Sequence, residues 1–216
     1  MKIGTDGVLL GAWAHKRNPK HVLDVGTGTG LVALMLAQRF PEAQIQAVEI
    51  DESAFEEASL NFRNSNFAAR LHPHYADFRS FQSETRFDLI VSNPPFFDKA
   101  LKSPKDNRNL ARHTDSLSLR SLIENAQSLL TENGVLALVI PFDREEEVVK
   151  SGRSVGLEPL RKLRVKGRAD LPIKRSLIEL QGNATNCQSE ELIVEVERHK
   201  YTADYTTLTR AFYLNM

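Results

Sequence analysis

A glycine-rich turn between a strand pattern and a helical pattern constrains the fold of this chain most strongly. His21–Val25 has the composition of a buried strand, and Leu31–Phe40 has apolar residues at helical spacing. Gly26, Gly28 and Gly30 lie between these two segments. Glycine adopts positive φ angles and lets a ligand approach the backbone closely. A strand, such a turn and a helix in succession predict an α/β fold that binds a ligand at the turn.

Strand and helix patterns continue to alternate after this unit, which predicts a mostly parallel sheet with helices on both faces. Residues 98–116 have no convincing period and are predicted to form a long loop. With no internal repeat or low-complexity linker, we expect one domain over residues 1–216. The remaining strand patterns are Gln44–Ile50, Arg70–Tyr75, Phe87–Ser92, Val135–Pro141, Arg161–Lys166, Leu177–Leu180 and Leu192–Arg198, and the helical ones are residues 51–63, Leu117–Leu130 and Asp143–Ser154.

Composition excludes several classes of protein. The chain has 28 basic and 28 acidic residues, a balance that argues against coating nucleic acid with the whole surface. Cys187 is the only cysteine, so an intramolecular disulfide is impossible, and neither the cysteine nor the histidines form a metal-ligand pattern. No apolar run is long enough to cross a bilayer and no signal peptide is visible. We therefore expect a cytoplasmic protein without a metal.

Acidic residues follow or end the first three predicted strands, where they could hold a nucleoside-bearing cofactor. Asp24 could face the ammonium of a methionine moiety, and Glu49 could accept hydrogen bonds from both ribose hydroxyls. Asp77 could accept from an adenine amine while Phe78 packs nearby. Leu31 replaces the third small residue of the dinucleotide pattern, which favours S-adenosylmethionine over a nicotinamide cofactor. The alternative is a plain turn with solvated acids.

The second motif, Asn93-Pro94-Pro95-Phe96, follows the predicted strand Phe87–Ser92 and is suited to hold a planar amine. Two prolines fix φ and leave carbonyl oxygens as acceptors with defined directions. The Asn93 side chain and the Pro94 carbonyl could each accept one amine hydrogen, and Phe96 could stack on the ring. With the glycine turn, this motif predicts methyl transfer from S-adenosylmethionine to the nitrogen of a base or an amide.

With both motifs placed, the chain resembles the class I S-adenosylmethionine-dependent methyltransferases. The blocks Lys2–Trp13, Ser92–Phe97 and Tyr201–Leu214 are similar, in this order, to the bacterial valine-tRNA adenine-N6-methyltransferase family. The resemblance implies a Rossmann-like fold with a mostly parallel seven-stranded sheet and helices on both faces. It also implies S-adenosyl-L-methionine as cofactor and N6-methylation of the adenine at position 37, next to the anticodon, of a tRNA, with tRNA(Val) expected.

The same resemblance assigns residues to the site. Asp24, Gly26, Gly28, Glu49 and Asp77 would serve the cofactor, and Asn93, Pro94 and Phe96 the target base. Thr5 and Asp6 match a segment that covers the methionine end of the cofactor, although either is also a suitable N-cap for the helix that follows. Members of this family usually carry a further segment before this block, so the chain departs from the family pattern at its N-terminus.

Two basic clusters could contact RNA phosphates or could simply be solvated. The clusters are Lys99, Lys102, Lys105, Arg108 and Arg112 in the predicted loop, and Arg161, Lys162, Arg164, Lys166, Arg168, Lys174 and Arg175.

Other activities stay open: a ribosomal-RNA guanine-N2 methyltransferase, a protein-glutamine N5-methyltransferase, or a non-catalytic cofactor- or RNA-binding module. DNA adenine and protein-glutamine methyltransferases usually need a further domain, for which the chain has no room.

Overall fold

A computed structural model describes residues 4–95 and 117–214 of the chain. Its helices follow the sequence signals: α3, for example, begins after Asp51, whose side chain accepts a hydrogen bond from the Ala54 amide and so caps the helix. None of the helices in the described ranges has the length and apolar character needed to cross a bilayer. The helices are α1 Thr5–Trp13, α2 Leu31–Arg39, α3 Glu52–Arg63, α4 Leu119–Leu129, α5 Glu145–Ser154 and α6 Ala203–Thr209.

Eight strands of the described residues form one sheet in the order β3-β2-β1-β4-β5-β7-β6-β8. The pairs from β3 to β5 are parallel, β7 is antiparallel to both of its neighbours, and β8 is parallel to β6. A separate two-stranded sheet pairs β9 with β10. The strands are β1 His21–Val25, β2 Gln44–Glu49, β3 Leu71–Tyr75, β4 Phe87–Ser92, β5 Leu130–Pro141, β6 Leu157–Lys166, β7 Ile173–Gly182, β8 Gln188–Ile193, β9 Glu195–Glu197 and β10 Lys200–Tyr201.

The predicted α/β class and mostly parallel sheet are confirmed, but the number of strands and some strand bounds are wrong. The sheet has eight strands rather than seven, because β8 covers the free edge of β6. The strand predicted over Leu192–Arg198 is divided: β8 ends at Ile193, and the chain enters the small hairpin at Glu195. Ile193 is the last residue of β8 in register with β6, opposite Lys166, and the amides of Val194 and Glu195 still donate to the carbonyls of Lys166 and Gly167.

Helices cover both faces of the sheet, so the central strands are buried on both sides. On β4, Leu89 and Val91 pack into the cluster that contains residues of α1, α2 and α3, whereas Ile90 packs with residues of α4 and α5. This is why the central strands are almost entirely apolar rather than alternating. The prediction of a single domain over residues 1–216 stays a prediction.

The register brings the carboxyl ends of the parallel strands to one edge. Val25 of β1 lies opposite both Val48 of β2 and Ser92 of β4, and Ser92 lies opposite Leu138 of β5. Glu49 lies opposite Tyr75 of β3. Ligands of open α/β sheets bind outside this edge. We call it the carboxyl edge.

Candidate active site

The glycine turn has the backbone conformation that the sequence predicts. Gly26, Gly28 and Gly30 all have positive φ angles, of 67°, 59° and 86°. The amides of Gly26 and Thr27 donate to the Val48 carbonyl at 2.9 and 3.1 Å, which holds the turn against β2. A Cβ atom built on Gly26 would meet nothing within 4 Å. The backbone there borders open space, which a ligand could occupy.

Glu49 is held in one orientation at the end of β2. One oxygen of its buried carboxylate, Oε2, accepts from the Gly28 amide at 2.8 Å. The other, Oε1, accepts from the amides of Ile50 and Asp51, both at 2.9 Å. Three backbone donors therefore fix an acidic acceptor beside the turn, at the position where the sequence predicts a ribose-binding carboxylate.

Asp24 lies beneath the same turn and is almost completely buried. Its Oδ2 accepts from the Thr27 hydroxyl at 2.6 Å and from the Ala33 amide at 3.1 Å, which joins the turn to the start of α2. Burial raises the pKa of this carboxyl from 3.8 to about 6, with the charge of Glu49 adding to the effect, although the two hydrogen bonds oppose it. Asp24 thus holds the turn in shape, and its contact with a cofactor ammonium stays a prediction.

Asp77 follows β3, as predicted, but its carboxylate is engaged by a neighbour that sequence reasoning missed. The amide and the guanidinium of Arg79 donate to it, the shortest contact being a 2.5 Å ion pair. The hydrogen bond from the Arg79 side chain is the main cause of its lowered pKa. The i,i+2 spacing of the two charges is the only signal that the sequence offered for this pair.

Phe78 points into the core rather than lying open at the edge. Its ring is only 4% exposed and stacks on Phe81 at 6.4 Å between centroids. Its carbonyl accepts from the side chain of Asn125 in α4 at 3.2 Å. Packing of Phe78 beside an adenine stays a prediction.

The acceptor motif begins directly beside the glycine turn. The Ser92 hydroxyl, which is buried, donates to the Val25 carbonyl at 2.8 Å and fastens the end of β4 to the end of β1. Asn93 is half-buried, Pro94 is buried and Pro95 is exposed. Phe96 lies outside the described residues. Sequence reasoning missed the role of Ser92, although a hydroxyl at the end of an apolar strand is the kind of signal that could have indicated it.

Helix α1 covers this junction. A Cβ atom on Gly7 would lie 3.5 Å from a methyl of Leu31 and 4.0 Å from the Asn93 side-chain nitrogen. The N-cap interpretation of Thr5 and Asp6 is wrong: the helix begins at Thr5, which is exposed, and Gly4 holds the N-cap position without a side-chain bond.

Asp6 instead accepts from Arg175 Nε at 2.8 Å. Arg175 lies opposite Pro141 at the end of β5, so the ion pair ties the first turn of α1 to the carboxyl edge on the acceptor side. The structure thus brings the glycine turn, Glu49, Asn93 and the start of α1 together. No group of three or more His, Cys, Asp or Glu side chains suited to a metal occurs in residues 4–95 and 117–214.

The second basic cluster is largely neutralised by acids. Arg161 binds the buried Glu179, Lys162 and Arg164 bind the buried Glu145, and further acids pair with Lys166, Arg168 and Arg175. Much of the positive charge of this cluster is therefore used in ion pairs that hold the β6–β7 region together. The loop cluster, from Lys99 to Arg112, lies outside the described residues.

Comparison with known proteins agrees with this geometry. Residues 3–149 match the model of the methyltransferase small domain family. A Flavobacterium psychrophilum protein named tRNA1(Val) (adenine(37)-N6)-methyltransferase is 47% identical over 219 residues, covering 100% of this chain and 94% of that protein. The chain belongs to this family of methyltransferases. A Bacteroides thetaiotaomicron protein of the same name is 45% identical to this methyltransferase, over 100% of this chain and 92% of that protein.

Solved structures share the fold of this methyltransferase at low sequence identity. A predicted O-methyltransferase from Agrobacterium tumefaciens superposes with a TM-score of 0.74 at 19% identity, covering 95% of this chain and 96% of that one. The glycopeptide N-methyltransferase MtfA, solved with S-adenosyl-L-methionine, gives a TM-score of 0.57 at 11% identity, covering 76% and 87%. The predicted Rossmann-like methyltransferase fold is therefore confirmed.

Proposed function

We propose that this methyltransferase transfers the methyl group of S-adenosylmethionine to the N6 amine of adenine 37 in a tRNA, with tRNA(Val) as the expected substrate. The observation that carries the proposal is the placement of Asn93. The hydrogen bond from the Ser92 hydroxyl to the Val25 carbonyl fastens the end of β4 to the end of β1. Asn93, the next residue, therefore follows at the carboxyl edge of the sheet, beside the open glycine turn. The names of the relatives, which match over the whole chain, supply the nucleotide and the tRNA. A cytoplasmic location belongs to the same proposal.

The residues at the turn fit the proposed cofactor. The space beside Gly26 is open, the positive φ angles exclude ordinary side chains, and Glu49 presents a buried, oriented acceptor. Gly26, Gly28, Glu49 and Asp24 would hold S-adenosylmethionine, with Asp77 and Phe78 at its adenine end and Thr5 and Asp6 above it. When bound, this cofactor supplies a methyl group activated by a positively charged sulfur.

The acceptor motif needs only to present the amine. Asn93 Oδ1 and the Pro94 carbonyl would each accept one hydrogen of the adenine N6 amine, which leaves the nitrogen lone pair directed at the methyl group. Phe96 would stack on the base, a contact worth ~1–3 kcal/mol. The amine can lose its proton after the transfer, so no strong base is required. Alignment of this kind can lower the activation barrier by roughly 7–11 kcal/mol.

Substitution of Asn93 tests this mechanism. We expect Asn93→Ala to abolish methylation of tRNA(Val) while the affinity for S-adenosylhomocysteine stays nearly intact, because the side chain is assigned to the acceptor amine alone. Turnover would be followed with radiolabelled cofactor, and affinity by calorimetry. Methylation at the wild-type rate by Asn93→Ala would remove the mechanism.

Alternative substrates can be compared in the same assay. We would offer ribosomal RNA, a release factor and a tRNA(Val) transcript in which adenine 37 is replaced by guanosine. The proposal expects label in an unmodified tRNA(Val) transcript that keeps adenine 37, and in none of these alternatives. Label in the release factor or in ribosomal RNA, with none in tRNA, would favour a glutamine or a guanine methyltransferase instead.

A further inference from the structure

Phe142 is an exposed aromatic residue close to the acceptor motif. Strand β5 ends at Pro141, and its Leu138 lies opposite Ser92 of β4. Phe142 therefore leaves the sheet at the carboxyl edge, one strand away from Asn93. Its side chain is 36% exposed, and it belongs to neither large core cluster. Filling of the core does not explain an aromatic residue here.

Arg164 of β6 lies over this ring, with its Cζ 5.6 Å from the ring centroid. The guanidinium is held by Glu145, through Nε at 3.2 Å and Nη2 at 2.9 Å. Its third nitrogen, Nη1, makes no hydrogen bond within residues 4–95 and 117–214. A cation–π contact and a two-point ion pair thus fix a guanidinium that still has donors to offer.

The carboxylate that holds Arg164 is itself well anchored. Glu145 is buried and also accepts from the Ser176 hydroxyl at 2.6 Å and from Lys162 Nζ at 2.9 Å. Burial alone would raise its pKa, but these hydrogen bonds outweigh burial and lower it to about 2. Glu145 therefore stays ionised at neutral pH, and the Arg164 guanidinium keeps its position.

The charges around the ring are mixed, because the first turn of α5 carries the acids Glu145, Glu146 and Glu147. Lys174 is exposed at the start of β7, beside Arg175, which pairs with Asp6. Arg144 pairs with Glu147, and Asp143 is exposed next to Phe142. The Arg164 side chain is 37% exposed, so a phosphate could approach this guanidinium from solvent.

We propose that Phe142 and Arg164 form a nucleotide-binding platform that holds a nucleotide flanking the target adenine. The base would stack on the exposed part of the Phe142 ring, and the phosphate would accept from Arg164. Proteins recognise single-stranded RNA loops by such stacking and by arginine contacts. The platform rests on the proposed function, since it names the part of the edge that receives the rest of the anticodon loop.

Substitutions of Phe142 test the platform. The probes are a fluorescein-labelled anticodon stem-loop of tRNA(Val) for equilibrium binding and the full tRNA for kinetics. Phe142→Ala should weaken stem-loop binding and raise KM for tRNA by roughly five- to fifty-fold, and should lower kcat much less. Phe142→Tyr should restore binding, because the ring is what matters. Binding of S-adenosylhomocysteine should stay at the wild-type level in both variants.

Arg164→Lys provides a second variant that keeps a positive charge against Glu145. It should weaken stem-loop binding by a few-fold, with little change in melting temperature. Tyr213→Ala is the matched control: this tyrosine is 38% exposed, and its segment contacts Gln38 in the last turn of α2, away from the carboxyl edge. The control should bind RNA like the wild type.

The outcomes separate the platform from the proposed function. If the wild type methylates tRNA and Phe142→Ala binds the stem-loop equally well, the platform is wrong and the proposed function stands. If the wild type binds the stem-loop without methylating tRNA, the function fails, and the Phe142 variants still decide on the platform. If the wild type neither binds the stem-loop nor methylates tRNA, both fail. If it methylates tRNA without binding the stem-loop, the function stands and an unchanged KM for tRNA in Phe142→Ala would overturn the platform.

Discussion

Asp24 and Glu49 carry the same charge at the glycine turn but lie in different surroundings. Three backbone amides solvate Glu49, whereas Asp24 is buried with one hydroxyl and one amide, and its pKa rises to about 6. Burial of a charge is costly unless it is fully compensated. The turn therefore contains one acid that is ready to accept a ligand and another whose ionisation works against stability in the absence of cofactor.

The stability of the protein should depend on pH through Asp24. The pKa of Asp24 in the folded protein lies above its unfolded value of 3.8. Its contribution to the free energy of unfolding is therefore fully present below pH 3.8 and is lost as pH rises through about 6. That difference corresponds to about 3 kcal/mol. Without cofactor, the free energy of unfolding of Asp24→Asn minus that of the wild type should therefore rise by up to about 3 kcal/mol between pH 4 and pH 7.5. Urea unfolding at both pH values measures this, and a difference that is independent of pH would contradict it.

The affinity for the cofactor should depend on Glu49. Glu49→Ala removes an acceptor of two proposed charge-assisted bonds to ribose, worth ~1.5–3 kcal/mol each, so the affinity for S-adenosylhomocysteine should fall by about 100-fold or more. Calorimetry measures the affinity, and Glu52→Ala, at an exposed position on α3, is the control. Wild-type binding of NADH without binding of either sulfur cofactor would contradict the assignment.

At the scale of elements, the start of α2 lies close to Phe62 of α3 because Gly30 has no side chain. A Cβ atom there would lie 2.4 Å from Phe62 Cε1, and Phe62 is almost fully buried on α3. Residue 30 also has a φ angle of 86°, so two separate requirements favour glycine at this position. The turn thus makes room for the Phe62 ring as well as for a ligand.

A pair of glycine substitutions separates these two requirements. Gly156 has a similar φ angle of 81°, but a Cβ atom there would meet nothing within 4 Å. Gly156→Ala should therefore cost about 1 kcal/mol from backbone strain alone, whereas Gly30→Ala should cost clearly more, because Phe62 must move. Thermal and urea unfolding would compare the two variants. Equal losses of stability would show that the contact with Phe62 is unimportant.

Elements with strong local signals could be predicted from the sequence, and those defined by distant partners could not. The bounds of β1 and β4 were predicted to the residue, since both are short apolar runs between clear breaks. Strand β5 was predicted to begin at Val135 but begins at Leu130, because the backbone of Leu130 pairs with Phe87 although polar residues follow it.

The same limit applies to the site. The strand ends that carry Asp24, Glu49 and Asn93 could be placed from the pattern of the chain. The ion pair of Asp6 with Arg175 joins residues 169 positions apart, and no local pattern contains it. The partners of Glu145 likewise come together only through the pairing of β6 with β7.

At the scale of the molecule, the carboxyl edge divides into two halves. The half formed by β1, β2 and β3 carries the glycine turn, Glu49 and Asp77, and it would hold the cofactor. The half formed by β5, β7 and β6 carries Phe142, Arg164 and Lys174, and it would hold RNA beyond the target base. Asn93, directly after β4, lies between the two halves, where the methyl group and the amine must meet.

The central claim is tested most directly by locating the methyl group. The purified protein would be incubated with unmodified tRNA(Val) and deuterium-labelled S-adenosylmethionine, followed by nuclease digestion and mass spectrometry of oligonucleotides and nucleosides. We expect one labelled methyl group, recovered as N6-methyladenosine in the fragment that contains position 37, and none with Asn93→Ala. A labelled methyl on any other nucleoside or position, or no label in tRNA from an enzyme that binds S-adenosylhomocysteine, would contradict it.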